Sequence, residues 1–351
     1  MRMPGASFFV PSTERFTMRM FDALLPYFGN KRKLCSLIFS YIHKYFPRDK
    51  WNKMIFVDVF LGSGAVSLFA KAQGFKVIGN DISKRSEIAG RALIENNGIL
   101  LTEEDIQKLF IPNAANNHLI ETEYVPEVFL KRHAVFLDNA FANAKRPLDK
   151  YLLVKTIFRL RPFSKFSSPN AFNLPMEEGR YDEIKGTYTK HIEDNLKSVL
   201  EILRLEKDRI NAGIFSNGLK NEVSQDNAFD FISKVSGDVL YLDPPYSGTL
   251  AYENEYSVLD KILGDDLSKS KFSEEDGMDM LDTLLARAEK FSLWVISFGN
   301  AAGKNDLNKL TAIVSKYRKC DSREFNYKHC EAMASEAHKK GCKEWLLMGY
   351  K

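Results

Sequence analysis

The residues best equipped for chemistry are Asp243, Pro244, Pro245 and Tyr246, which close the apolar run 240-LYL-242. A residue before proline is driven to extended geometry, and proline fixes its own φ and lacks an N–H. Asp243 and Pro244 both precede a proline, so the backbone here is a rigid extended stub. It presents the Asp243 carboxylate and the Pro244 carbonyl as two fixed acceptors, with the Tyr246 ring beside them. Two acceptors and a ring suit a planar amine, such as the exocyclic NH2 of a base. That nitrogen is a poor nucleophile because its lone pair is delocalised into the ring. Accepting its hydrogens turns the lone pair toward an electrophile, which is catalysis by orientation and electrostatics. The competing reading is a proline-terminated strand at a sheet rim.

A second constellation is 58-DVFLGSG-64. Gly62 and Gly64 let the backbone approach a ligand closely, and the helix that follows favours a negative group at its N-terminus. Asp81 closes the next apolar run, where an acid can accept hydrogen bonds from ribose hydroxyls. The dinucleotide fingerprint needs a third glycine, and Ser67 stands there instead, which disfavours a nicotinamide or flavin cofactor. The expected ligand is nucleoside-like. The alternative is a tight turn with a surface Asp.

These residues need a frame. Leu34, Leu37, Ile38, Tyr41, Ile42 and Tyr45 recur at helical spacing. The run 54–60 reads as a strand, 65–73 as a helix closed by Gly74, and 75–81 as a second strand, which together make a βαβ unit. Helical patterns at 103–110 and 188–210 are interrupted by 161–180, a segment rich in Pro, Ser, Asn and Gly. The α/β rhythm then returns, with a helix at 226–235, a strand at 238–246, a helix at 278–291 and strands at 293–300 and 345–350. The predicted fold class is α/β, with the sheet domain (18–100 and 221–351) interrupted by a mostly helical insertion (101–220). Residues 1–17 read as a tail.

The chain has 351 residues, 44% hydrophobic and 27% charged, enough to bury a large core. A net charge of +4 is compatible with a polyanionic partner. Cys35, Cys320, Cys330 and Cys342 form no C-x-x-C pair, so a reduced, cytoplasmic setting is expected. With His329 and His338 they fit no common zinc pattern, and no metal is predicted. No apolar run approaches the ~20 residues of a membrane span, and the N-terminus lacks a signal-peptide pattern.

Taken in order, Y-F-G-N-K (27–31), D-V-F-L-G-S-G (58–64), N-D (80–81), D-N-A-F-D-F (226–231) and D-P-P-Y (243–246) resemble the S-adenosylmethionine-dependent DNA adenine N6-methyltransferases. More narrowly, the chain is similar to the DNA adenine methylase family, with 171-AFNLP-175 and 345-WLLMGYK-351 as further matches. The resemblance implies a seven-stranded Rossmann-like methyltransferase sheet with helices on both faces. It also implies S-adenosyl-L-methionine as cofactor and S-adenosyl-L-homocysteine as product. By the same resemblance Tyr27, Gly29 and Lys31 hold the cofactor's amino-acid end, and Asp58, Phe60, Gly62 and Gly64 surround its methionine. Asp81 takes the ribose and Asp226 the adenine edge, while Asp243 borders the cofactor. Asp243 and Pro244 accept from the target amine, and Tyr246 stacks on its ring. Lys31 is alternatively one of three solvated cations in KRK, and Asp226 a helix N-cap. An adenine inside a duplex must be flipped out before it can react, and the leading Asp favours adenine N6 over cytosine N4.

The inserted region is where target sequence would be read. In 159-RLRPFSKFSSPN-170, Arg159, Arg161 and Lys165 alternate with Phe163 and Phe166, a mixture suited to phosphate contact and wedging. Asn170 and Asn173 complete the expected DNA-binding set. The alternative is a solvated charged loop. Within 247–277, Tyr252 and Tyr256 either close over the flipped base or belong to a surface insertion. The expected partners are double-stranded DNA and, functionally, a restriction endonuclease, with no membrane. A monomer is compatible with reading one strand per event. Two other readings are adenine methylation of RNA and a DNA-binding subunit without catalysis.

Overall fold

The computed structural model describes residues 19–26, 29–160, 198–245, 256–265, 272, 277–300, 305–326 and 343–351. Seven strands form one sheet: β1 (Ile55–Asp58), β2 (Lys76–Asp81), β3 (Glu222–Gln225), β4 (Val239–Leu242), β5 (Leu293–Gly299), β6 (Lys319–Asn326) and β7 (Lys343–Tyr350). Their order is β3-β2-β1-β4-β5-β7-β6. The pairs from β3 through β5 are parallel, and β7 runs antiparallel to both β5 and β6. From β1 the chain proceeds outward through β2, and β4 then returns to the other side of β1. The strand order therefore reverses between β1 and β4, and the crevice at their carboxyl ends is where open α/β sheets bind ligands.

Both faces of the sheet are covered, which is why its central strands read as unbroken apolar runs. Every residue of β5, LWVISFG, is buried. Alternate side chains feed two cores. Phe56, Val77, Tyr241, Val295 and Met348 point into one, and Val57, Leu240, Trp294, Ile296 and Leu347 into the other. The first core packs under α1 (Cys35–Tyr45), α2 (Ala65–Ala72), α3 (Lys84–Gly90), α4 (Glu103–Leu109), α5 (Leu119–Tyr124), α6 (Lys131–Asn143), α7 (Pro147–Leu160) and α8 (Val199–Ala212). The second packs under α9 (Ala228–Lys234), α11 (Gly277–Ala286) and α12 (Leu307–Ser315), with the short α10 (Ser257–Ile262) lying on the first side.

The helices within 101–160 and 198–212 share the first core with the sheet: Ile106, Leu137, Leu153, Ile202 and Ile210 belong to the same buried cluster as Phe56 and Val77. α8 begins with a capping box, in which Ser198 accepts from the Glu201 N–H and Glu201 reaches back to Ser198. α4 has the same device between Thr102 and Asp105. Segment 161–197, with the N-terminal part of the expected 188–210 helix, lies outside the described residues.

Two strands had no pattern to betray them. β3 has only four residues, EVSQ, of which Val223 alone is buried. β6 is an edge strand, KCDSREFN, with no fully buried residue. Its charges suit an edge that must not recruit another chain.

Candidate active site

The glycine turn sits directly after β1. Gly62 and Gly64 have φ of 52° and 78°, left-handed values at which a side chain would be strained. The Gly64 N–H donates to the Leu61 carbonyl at 2.8 Å, closing the turn before α2. Asp81, at the end of β2, grips the same turn. Its Oδ2 accepts from the Gly62 N–H at 2.8 Å, and its Oδ1 accepts from the Ser83 N–H and hydroxyl at 2.9 and 2.7 Å. Oδ2 keeps a lone pair for a further donor. Gly62, Gly64 and Asp81 are thus brought together, as expected.

Asn80 has a role the sequence reading did not assign. Fully buried, it donates to the Val59 and Asp226 carbonyls at 3.3 and 3.0 Å and accepts from the Ser224 hydroxyl at 2.9 Å. One amide therefore ties together the ends of β1, β2 and β3. Its signal in the sequence was an Asn just before a strand-ending Asp. Ile82, the next residue after Asp81, was also missed. It is 49% exposed, a large apolar side chain left beside an acid at the ligand crevice.

Asp58 is buried beneath the turn, and its Oδ2 accepts from the Ser67 hydroxyl at 2.7 Å. Burial pushes its pKa up to about 7, Ser67 opposes the shift, and the neighbouring charges of Asp243 and Asp81 add to it. Phe60 packs edge-on against Phe272 with ring centres 5.1 Å apart, and Phe272 stacks on Phe229 of α9 at 5.7 Å.

Asp226 is not the helix N-cap. That role belongs to Asn227, whose side chain accepts from the Phe229 N–H at 2.9 Å. Asp226 lies one residue earlier, with its N–H on the Asp81 carbonyl. Its carboxylate pairs with Lys234, and this hydrogen bond leads in holding its pKa below the usual carboxylate range. The cap position was misread by one residue because Asp and Asn cap equally well.

On the other side of the switch point, β4 ends at Leu242 and Asp243 follows. Lys31 donates to Asp243 Oδ1 at 2.9 Å and to the Gly29 carbonyl at 3.2 Å. Gly29 is left-handed, with φ of 72°. The Lys31 side chain is 3% exposed and Asp243 18%, so Lys31 is not one of three solvated cations. Glu344, at the start of β7, lies 3.4 Å from the same ammonium and accepts from the Ser297 hydroxyl at 2.6 Å. The buried Tyr241 hydroxyl stays protonated: burial and then the charges of Asp243 and Asp58 raise its pKa well above the ordinary value.

Arg159 closes α7 and donates from Nε to the buried Glu206 at 2.8 Å, and Glu206 also pairs with Lys155 and Arg209. Any phosphate contact by Arg159 competes with that ion pair. Tyr256 is buried, with the Arg85 guanidinium 4.5 Å over its ring and Phe158 close by. It belongs to the core and not to a surface that closes over a base. Tyr27, Tyr246, Arg161, Lys165, Asn170 and Asn173 lie outside the described residues.

A seven-stranded sheet of this order, with a glycine turn and an Asp on one side of the switch and Asp-Pro-Pro on the other, defines a methyltransferase of the Rossmann-like class. Residues 27–275 match the D12 class N6 adenine-specific DNA methyltransferases. The chain belongs to that family and is an adenine-specific DNA methyltransferase. It is 27% identical over 311 residues to the type II methyltransferase M2.HphI of Haemophilus parahaemolyticus, covering 83% of this chain and 87% of the relative. It is 26% identical over 326 residues to the type II methyltransferase M.NlaIII of Neisseria lactamica, covering 88% and 93%. Against M.FokI of Planomicrobium okeanokoites it is 28% identical over 222 residues, which span 59% of this chain and 32% of that longer protein. No helix among the described residues is long and apolar enough to cross a membrane.

Proposed function

We propose that this chain methylates N6 of an adenine flipped out of double-stranded DNA, with S-adenosyl-L-methionine as donor and S-adenosyl-L-homocysteine as product. The observation that carries the reading is Asp243, held by Lys31 at 2.9 Å across the switch point from the Asp81-braced glycine turn. The residues present fit that cofactor. Asp58 and Asp81 place carboxyl groups at the glycine turn, which favours a sulfonium. The exposed side chain of Ile82 offers an apolar face for an adenine ring. Asp81 Oδ2 suits a ribose hydroxyl, and the left-handed glycines allow close approach of the backbone.

When bound, the cofactor supplies an electrophilic methyl carbon on a positively charged sulfur. Asp243 and the Pro244 carbonyl accept the hydrogens of the target amine and turn its lone pair toward that carbon. The amine nitrogen held by Asp243 and Pro244 would take the methyl of the bound cofactor, whose sulfur would keep the electron pair of the broken S–C bond. The amine proton leaves through Asp243 to solvent. Asp243 acts as an acceptor and orienter. Tyr246 supplies the stacking face, and Tyr27, Gly29 and Lys31 hold the amino-acid end of the cofactor. Segment 101–220 reads the target, with Arg161, Lys165, Asn170 and Asn173 at the DNA. Relatives that are type II methyltransferases and a modification methylase support work beside a restriction endonuclease, and a cytoplasmic enzyme acting as a monomer is compatible with that setting.

The test is methyl transfer from S-adenosylmethionine to duplex DNA, duplex DNA lacking adenine, and RNA, followed by nucleoside analysis. N6-methyladenine in the first substrate alone is expected. Transfer only to RNA, or to cytosine, would overturn the reading, as would failure to bind S-adenosylmethionine by calorimetry.

A further inference from the structure

Lys31 has two carboxylates within reach of one ammonium. Asp243 Oδ1 lies at 2.9 Å and Glu344 at 3.4 Å. The two acids differ in freedom. Glu344 is 1% exposed, carried on a strand paired along both sides, and fixed by the Ser297 hydroxyl at 2.6 Å. Asp243 is 18% exposed and sits beyond the end of β4, at the ligand crevice. Resting on the reading above, we infer that Glu344 is a positioning residue for methyl transfer: it is the fixed seat of Lys31, and it lets Asp243 exchange the ammonium for the target amine.

The geometry makes the exchange cheap. Coulomb attraction varies inversely with distance, so seats at 2.9 and 3.4 Å are similar in energy. A shift of a few tenths of an ångström moves the ammonium from Asp243 toward Glu344 without leaving it unpaired, which in a buried site would be costly. Asp243 Oδ1 then carries less of the ammonium's charge and accepts more strongly from an incoming N–H. Were Asp243 the only carboxylate in reach, the whole charge of the ammonium would rest on it and weaken every hydrogen bond it accepts. Glu344 also shares the positive charge at rest, so Asp243 keeps its strength as an acceptor.

A purely structural Glu344 would account for the Ser297 bond and the burial but would leave the chemical step alone. The experiment that separates the two is a double-mutant cycle on the full chain. Single-turnover methylation of duplex DNA is measured for wild type, Glu344→Gln, Lys31→Met and the double variant, with cofactor binding followed by calorimetry. At saturating cofactor in every variant, so that the contact of Lys31 with the cofactor does not enter, Glu344→Gln should slow the step by on the order of tenfold, as expected for losing a charged partner. In the Lys31→Met background the same substitution should cost nothing further, because Glu344 acts through Lys31. An additive loss, or a wild-type rate in Glu344→Gln, would overturn the inference. If Glu344→Gln does not fold, the same cycle with Ser297→Ala decides by the same criterion. A wild-type chain that transfers no methyl would bring down the reading of the preceding section and this inference with it. An active wild type beside an indifferent Glu344→Gln sinks this inference alone.

Discussion

Two lysines among the described residues, Lys155 and Lys31, are buried beside carboxylates in different surroundings. Lys155 of α7 points into the helical layer. It pairs with Glu206 at 3.0 Å and donates to the Asp22 and Ala23 carbonyls at 2.7 and 3.1 Å. Burial lowers its pKa to about 8. Burial alone would raise the pKa of Glu206, but Lys155 and Arg159 outweigh it. That cluster anchors the segment leading into the 27–31 motif. Lys31 also meets backbone and acid, but one of its acids, Asp243, is partly open to the crevice. The lesson is that burial of a charge does not mark a site. What distinguishes this one is a buried cation paired with an acid that is partly open at the carboxyl ends of the strands.

The largest effect should come from Asp243→Ala. Methylation is expected to fall by at least about a thousandfold, in line with the loss of a preorganised electrostatic group. The variant should remain folded and retain duplex DNA in a gel-shift assay. Turnover near the wild-type level would erase the distinction between the two clusters. Next, Lys155→Met should lower stability by about 3 kcal/mol, the scale for removing one partner of a buried ion pair, read from urea unfolding. Turnover per folded molecule should stay close to that of the parent. A chemical defect larger than the stability defect would show that the inner cluster is part of the site.

The smallest effect concerns Asp58. Its carboxyl, raised to about 7 by burial, is protonated below that pH and ionised above it. A cationic ligand prefers the ionised form, so S-adenosylmethionine should bind a few-fold more tightly as pH rises through about 7. Calorimetry across that range should show the rise in the parent and a flat profile in Asp58→Asn. The folded-state pKa lies above the unfolded one, so ionisation of Asp58 costs stability as pH rises from about 4 to about 7. A bound cation would offset that cost.

Much of the sheet was legible because its signals are local. Apolar runs gave β1, β2, β4, β5 and β7, and turn chemistry gave Gly62, Gly64 and the proline-locked stub at Asp243. The layer of helices over the first core was less legible. α6 and α7 carry charge and aromatic residues on faces that only packing distinguishes. Tyr256 looked like a loop aromatic until Arg85 covered its ring. Glu344 was invisible for another reason. Its importance comes from a lysine more than three hundred positions away, and no periodicity reports such a pair. Asn80 fell between the two: its neighbour Asp81 drew the eye, while its three bonds span three strands.

The antiparallel course of β7 has a consequence for how the enzyme comes into being. Because that strand runs backward, its second residue, Glu344, arrives at the carboxyl edge of the parallel strands and meets Lys31 from a distant part of the chain. During synthesis Lys31 emerges early and waits, with Asp243 as its one acidic neighbour among this trio, until residues 343–350 have been made. Until β7 is made, Lys31 therefore lacks the buried carboxylate of Glu344. A chain cut short before β7 would carry the glycine turn, Asp81 and Asp-Pro-Pro-Tyr and still lack the strand that seats its lysine.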